Sequence, residues 1–225
     1  MGGYTRLCVF LSGIVAFLWG IMRRTMKITV ISGSHRDGSQ SDRVAQYIAN
    51  DLTKLGVEAS VISLAKNPLP LWDEGVWSDD PKWTSIWGPI SARLKESAGF
   101  VVVSPEWSGM VPAGLKNFFL LCGSREVGHK PAMIVSVSSG IGGSYPVVEL
   151  RQSSYKNTRL VYIPDHVIVR NVESMLNGSS PADSHDEELR KRMHYSLEIL
   201  IEYAKALCAV RESGKINLKE FPYGM

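Results

Sequence analysis

"KITVISGSHRDGSQSDRVAQYIANDL", residues 27–52, changes its hydrophobic period halfway along, and that change decides the fold. The opening "KITVIS" is a short run rich in Ile and Val, the composition of a strand covered on both faces. Further on, Val44, Ile48, Leu52 and Leu55 recur every three or four places, as they do on one face of a helix. Between the two lie small and polar residues only, "GSHRDGSQS" at 33–41. Strand, short loop and helix together make the first half of a parallel crossover.

The same alternation repeats. "VEASVIS" (57–63), "GFVVVSP" (99–105), "PAMIVSVSS" (131–139) and "HVIVRNV" (166–172) read as four further strands. Leu189, Met193, Leu197, Leu200 and Ala204 mark a last helix, with Ser184 and Glu187 spaced as a capping box at its start. A five-stranded parallel sheet with right-handed crossovers and helices on both faces follows. Ligands bind such sheets beyond the carboxyl ends of the strands, which directs attention to the loops at 33–41, 104–112 and 138–145.

Composition narrows the possible partners. The chain has 225 residues, enough for one α/β domain, and 25 Lys and Arg against 22 Asp and Glu give a net charge of +3. No basic run is present, so no nucleic-acid partner is expected. Cys8, Cys122 and Cys208 are far apart and join no His cluster, which argues against a metal site and a disulfide framework and for a reducing, cytoplasmic setting. "LCVFLSGIVAFLWGIM" at 7–22 is apolar. As a helix it would reach only ~24 Å, against a hydrocarbon core of ~30 Å. Arginines follow it where a signal peptide would have small residues. Residues 1–25 are thus read as an upstream extension ahead of Met26, with an anchor or an export signal as the other readings; membrane contact is expected only if 7–22 is a real segment. The division expected is 1–25, a domain at 26–212 and a tail at 213–225.

Each loop carries its own chemistry. The first has the glycine spacing of a P-loop, but Ser39 and Gln40 stand where Lys and Ser/Thr are required, and His35 occupies the second glycine of a dinucleotide fingerprint. What remains suits one terminal phosphate: hydroxyls at Ser34, Ser39 and Ser41, the Gln40 amide and the Arg36 guanidinium at a helix start. The alternative is an ordinary turn with a serine N-cap. In "SPEWSGMVPAGLKNF", Pro105, Gly109 and Gly114 shape a segment with Trp107 as an aromatic wall, and Pro112 opens a new helix. "SSGIGGSY" brings Ser139, Gly140, Gly142 and Gly143 after the fourth strand, where amides could meet an electron-rich ligand edge.

Together "GSHRDGSQS", "LPLWDEG" (69–75), "PEWSGMVPAGLKN" (105–117) and "GIGGSYPVVELR" (140–151) resemble the NADPH-dependent FMN reductases. The resemblance spans about residues 27 to 175 and implies a flavodoxin-like three-layer fold with strand order 2-1-3-4-5. It implies FMN as cofactor and NADPH as co-substrate, with electrons passing to a small acceptor such as flavin, a quinone, an azo compound or a metal oxyanion. Carried over by position, Ser34, Arg36, Ser39, Gln40 and Ser41 become phosphate ligands. Pro105, Glu106, Trp107, Ser108 and Gly109 become ring contacts, while Ser139, Gly140, Gly142 and Gly143 face the pyrimidine edge. No side chain is a catalyst, because the flavin carries the chemistry. Lys116 and Arg151 are candidates for the NADPH phosphate. Ser41 departs from the family's usual Asn, and Trp107-Ser108 from its Tyr-Asn. Trp72, Trp77, Trp83 and Trp87, with Asp73, Glu74, Asp79 and Asp80 among them, suggest an interface or a wall of the substrate site, the alternative being a helix and its entry loop packed on the sheet, and the family implies a homodimer or homotetramer. A flavodoxin-type electron carrier is the alternative, though its acidic surface is missing at net +3. A phosphatase of similar topology fails, because Gly128 and Ile14 stand where Arg should follow Cys122 and Cys8.

Overall fold

A computed structural model describes residues 26–78 and 80–224, so the apolar run at 7–22 lies outside the described residues. Lys27–Ser32 (β1), Glu58–Ser63 (β2), Gly99–Pro105 (β3), Pro131–Val137 (β4) and Val161–Val169 (β5) pair in parallel in the order 2-1-3-4-5. The helices are Gln40–Lys54 (α1), Pro81–Glu96 (α2), Ala113–Leu121 (α3), Ser124–Val127 (α4), Ser144–Gln152 (α5) and Ser184–Glu212 (α6). Successive strand residues point to opposite faces, and β3 shows the result. Val101 and Val103 join one core with Val44, Ile48 and Leu52 of α1 and Met193, Leu197 and Leu200 of α6. Phe100 and Val102 join the other with Ile90 and Leu94 of α2, Leu115 and Phe118 of α3 and Leu150 of α5.

Two expectations are corrected. The fifth strand starts at Val161, not 166, and contains Pro164. Pro lacks the N–H a central strand needs, but β5 is an edge strand, and its register on β4 slips between Ala132↔Tyr162 and Ile134↔His166 to accommodate the proline. The cap of α6 is Asp183, whose Oδ1 accepts the Asp186 N–H at 2.9 Å, one residue before the expected Ser184. A carboxylate does the same work there and also suits the helix dipole.

Trp83 and Trp87 do not form a surface. Both are buried in the α2 core, and the Trp83 indole N–H reaches Asp73 Oδ1 at 2.6 Å. Trp77 is exposed and meets Trp72 edge-on at 4.8 Å.

Lys130 is the unusual buried cation. Its ammonium donates to the carbonyls of Leu94 (2.7 Å), Lys95 (2.9 Å) and Glu126 (2.7 Å), closing the end of α2. Burial, helped by Arg211 and opposed by Glu126, pushes its pKa down to about 8. Between that value and the unfolded value of 10.5, the unfolded chain binds the proton that the folded chain has released. This contribution to stability is therefore complete above 10.5 and is lost as pH falls through about 8. Lys130→Met leaves three carbonyls without their donor and should cost about 2–4 kcal/mol, with an unchanged denaturant slope. The wild-type advantage over the variant should widen between pH 8 and 10 in urea titrations; a constant gap would mean that the amine does not titrate there.

Candidate functional site

The first loop leaves β1 at its pairing with β3. Gly33 donates its N–H to Val103 O at 2.8 Å, and a Cβ on it would stand 2.6 Å from Leu115 Cδ2, so a side chain there would force α3 away. The buried Ser34 hydroxyl accepts the Arg36 N–H at 3.2 Å, which leaves its proton to donate. Ser39 caps α1 by accepting the Asp42 N–H at 3.2 Å. The next amides, of Gln40 and Ser41, lie in the first turn, where a helix has no carbonyl to offer them. Arg36, earlier in the same loop, is exposed. Thus Ser34, Arg36, Ser39, Gln40 and Ser41 lie in one loop and the helix start that follows it, with hydroxyls, open amides and the positive end of a dipole, a donor set that fits a phosphate. The Gln40 Oε1 is already taken by Arg43 Nε at 2.7 Å.

The second loop is a tight hairpin. Trp107 N–H reaches Met110 O at 3.1 Å and Met110 N–H returns to Trp107 O at 2.9 Å. Ser108 and Gly109 between them have φ of 51° and 72°, the primed turn that twists with its strands. Pro105 ends β3, and His35 meets the Trp107 ring edge-on at 4.6 Å, bringing the first two loops together. Glu149 of α5 holds the loop's exit: its Oε2 accepts the Val111 N–H at 2.7 Å and its Oε1 pairs with Lys116. Burial pushes the Glu149 carboxyl up, but Lys116 and the Val111 N–H outweigh it, and its pKa lies below the usual value.

In the third loop, Gly143 caps α5 at φ 102°, and a Cβ on it would collide with Ile168 Cγ2. Its N–H donates to Glu106 Oε2 at 2.6 Å, and a Cβ on Gly142 would stand 2.8 Å from Glu106 Oε1. Glu106 therefore ties the second loop to the third. Gly140 donates to Ser138 Oγ at 3.3 Å, while Ser139 is exposed.

Lys116 and Arg151 are engaged elsewhere. Lys116 belongs to Glu149, and Arg151, near the far end of α5, donates to the carbonyls of Ile163 and Pro164, both at 2.8 Å. Sequence reasoning missed Glu149 and Arg170. Arg170 Nε donates to Ile141 O at 2.8 Å and to Gly142 O at 3.0 Å. Neither residue belongs to a recognisable spacing, because their partners are backbone groups and, for Glu149, a lysine far away in sequence. Two cavities, of about 320 and 390 Å³, lie along α1, lined by Asp42, Ser63 and Lys66 and by Asp51, Arg190 and His194, and neither is lined by any of the three loops.

Residues 26–174, which contain all three loops, match the family model described as NADPH-dependent FMN reductase. Over 144 residues the chain is 26% identical to an NADPH azoreductase of Bacillus sp., covering 64% of this chain and 76% of that protein. Over 138 residues it is 30% identical to a quinone reductase of Pseudomonas putida, covering 59% and 71%. Among solved structures, the flavoenzyme NAD(P)H:acceptor oxidoreductase FerB of Paracoccus denitrificans gives a TM-score of 0.66 at 18% identity, covering 81% of this chain and 98% of that one. At that identity the likeness establishes the fold.

The primed turn yields a prediction. Asn enters the left-handed region several-fold more readily than Ser, so Ser108→Asn should stabilise the hairpin by about 0.5–1 kcal/mol. Thermal unfolding at fixed pH measures it, and a lower melting temperature would show that the Ser108 hydroxyl has a role of its own.

Proposed function

The chain belongs to the NADPH-dependent FMN reductase family of oxidoreductases, and we propose that its loops at 33–41, 105–110 and 139–143 form the FMN site. The observation that carries this reading is the loop leading into α1, which holds the buried Ser34 hydroxyl, the exposed Arg36 and the open amides of Gln40 and Ser41 at a helix start. In the proposal these groups bind the terminal phosphate, with Ser39 holding the helix start in place. Trp107 and the hairpin carry the flat ring, and the glycine loop lies at its polar edge. FMN, when bound, supplies the hydride chemistry between NADPH and an acceptor. The chain's own residues bind, orient and leave one face open.

The acceptor proposed is a small molecule, a quinone or an azo compound by analogy with the named relatives, or a free flavin or metal oxyanion. Lys116 and Arg151 receive no role at the NADPH phosphate, since Glu149 and two carbonyls already occupy them. A homodimer or homotetramer is proposed, supported by exposed Leu71, Trp77, Tyr145 and Val148. Among the described residues no helix is long and apolar enough to cross a membrane. A cytoplasmic location is proposed, supported by free Cys122 and Cys208. Residues 26–212 are proposed as the FMN-binding unit.

The test uses purified protein, which should be yellow and bleach with NADPH. Arg36→Ala with Ser34→Ala spares the Ser39 cap and removes charge-assisted and hydroxyl hydrogen bonds worth about 2–4 kcal/mol, or about 30- to 1000-fold in FMN affinity. Fluorescence titration reads the change. An unaltered Kd would place the phosphate elsewhere, and a yellow protein that does not bleach would be an electron carrier.

A further inference from the structure

The glycine loop is held by its backbone from two opposite sides, and the partners on those sides carry opposite charge. Arg170, the residue after β5, places its Nε on the carbonyls of Ile141 (2.8 Å) and Gly142 (3.0 Å). The neighbouring Asn171, at φ 46°, donates its N–H to Gly140 O at 2.9 Å. All three carbonyls of the segment are thus drawn toward the end of β5. No peptide bond among the described residues is cis, and in a trans peptide the C=O and N–H point in opposite directions.

Two consequences follow for the amides. The peptide joining Gly142 and Gly143 is clamped: its carbonyl is on Arg170 and its N–H is on the Glu106 carboxylate at 2.6 Å. Glu106 therefore lies on the side of the loop away from Arg170. The peptide joining Ile141 and Gly142 has its carbonyl on the same guanidinium, so the Gly142 N–H points to the Glu106 side, toward the hairpin loop. Gly143's amide is already spent on Glu106, whereas the Gly142 amide has no acceptor within the described chain.

We propose that Arg170 is the positioning residue of the glycine loop: by holding the Ile141 and Gly142 carbonyls it turns the Gly142 N–H outward as the donor offered to the electron-rich edge of the flavin. A cation at the carbonyl end also polarises the peptide and strengthens the N–H as a donor. The inference rests on the reading of loop 139–143 as flavin-facing. It makes Glu106 a partner of the loop that restrains the opposite side of the clamp.

Arg170 is exposed, so replacing it leaves the core intact. In flavin-free protein, Arg170→Ala should shift the backbone amide signals of Gly142 and Gly143 in nitrogen-15 NMR and speed their hydrogen exchange. In FMN-loaded protein it should lower the midpoint potential and slow reduction by NADPH about tenfold, a fraction of what deleting an anion-stabilising donor costs. Guanidinium added well below denaturing concentration should restore the potential in Arg170→Ala. Arg170→Gln, which keeps a donor but drops the charge, should fall between the variant and wild type. If FMN moves the loop signals in wild type while Arg170→Ala changes neither signals nor potential, the role of Arg170 is overturned and the site reading stands. If FMN leaves the wild-type signals of 139–143 unmoved, the site reading falls and this inference with it.

Discussion

Gly33 donates its N–H to Val103 O where β1 meets β3 under Leu115. Strand order reverses direction at this pairing, since β2 lies on one side of β1 and β3 on the other. The crossovers to β2 and from β3 therefore leave toward opposite sides, α1 on one face of the sheet and α3 on the other. The joint tolerates no side chain, because a Cβ would meet both Leu115 Cδ2 and the carbonyl that accepts the bond. If α3 were pushed away, Pro112 and the exit of the hairpin loop would move with it. The placement of the first loop relative to the second rests on that one close approach.

Carboxylates then make the second and third loops one unit. Glu106 reaches from the second loop to Gly143, and Glu149 reaches from α5 back to Val111 and Lys116. The ties run in opposite directions between the same two segments, so sliding one loop past the other breaks both. Hydrogen bonds to charged groups in half-buried surroundings are worth more than neutral ones, and here each carboxylate accepts a backbone N–H, with Glu149 also pairing with the Lys116 ammonium. Arg43 does comparable work behind the site: its guanidinium takes the carbonyls of Val172 (2.5 Å), Met175 (2.8 Å) and Leu176 (3.0 Å), fastening the segment after Arg170 to α1.

What was legible in the sequence follows from how each feature is encoded. β1, β3 and β4 are Val- and Ile-rich runs buried on both faces, and composition alone announces them, whereas β2, at the other edge of the sheet, is buried only at its end. The first half of β5 was hidden by Pro164, which is forbidden in a central strand and acceptable only because β5 lies at the edge, a fact of topology. The three loops were legible because small residues and glycines after a strand have few other uses. Trp83 and Trp87 left a surface and a packed helix both open because their acidic neighbours suit water, whereas one of those neighbours, Asp73, is the buried indole's partner. Glu149 and Arg170 left no signal, since a charged residue bound to a distant carbonyl or amide looks like any solvated one.

The same distinction explains which positions in the site can vary. Where the backbone makes the contact, a side chain matters only through the φ it permits and the space it fills. Ser108 occupies a left-handed position that other residues can reach at modest cost. Gly143, at φ 102° and pressed against Ile168, has no such freedom. Loop chemistry built on amides therefore constrains a few glycines severely and leaves their polar neighbours free to change, and the charged residues that orient those amides can sit outside the motifs that identify the loops.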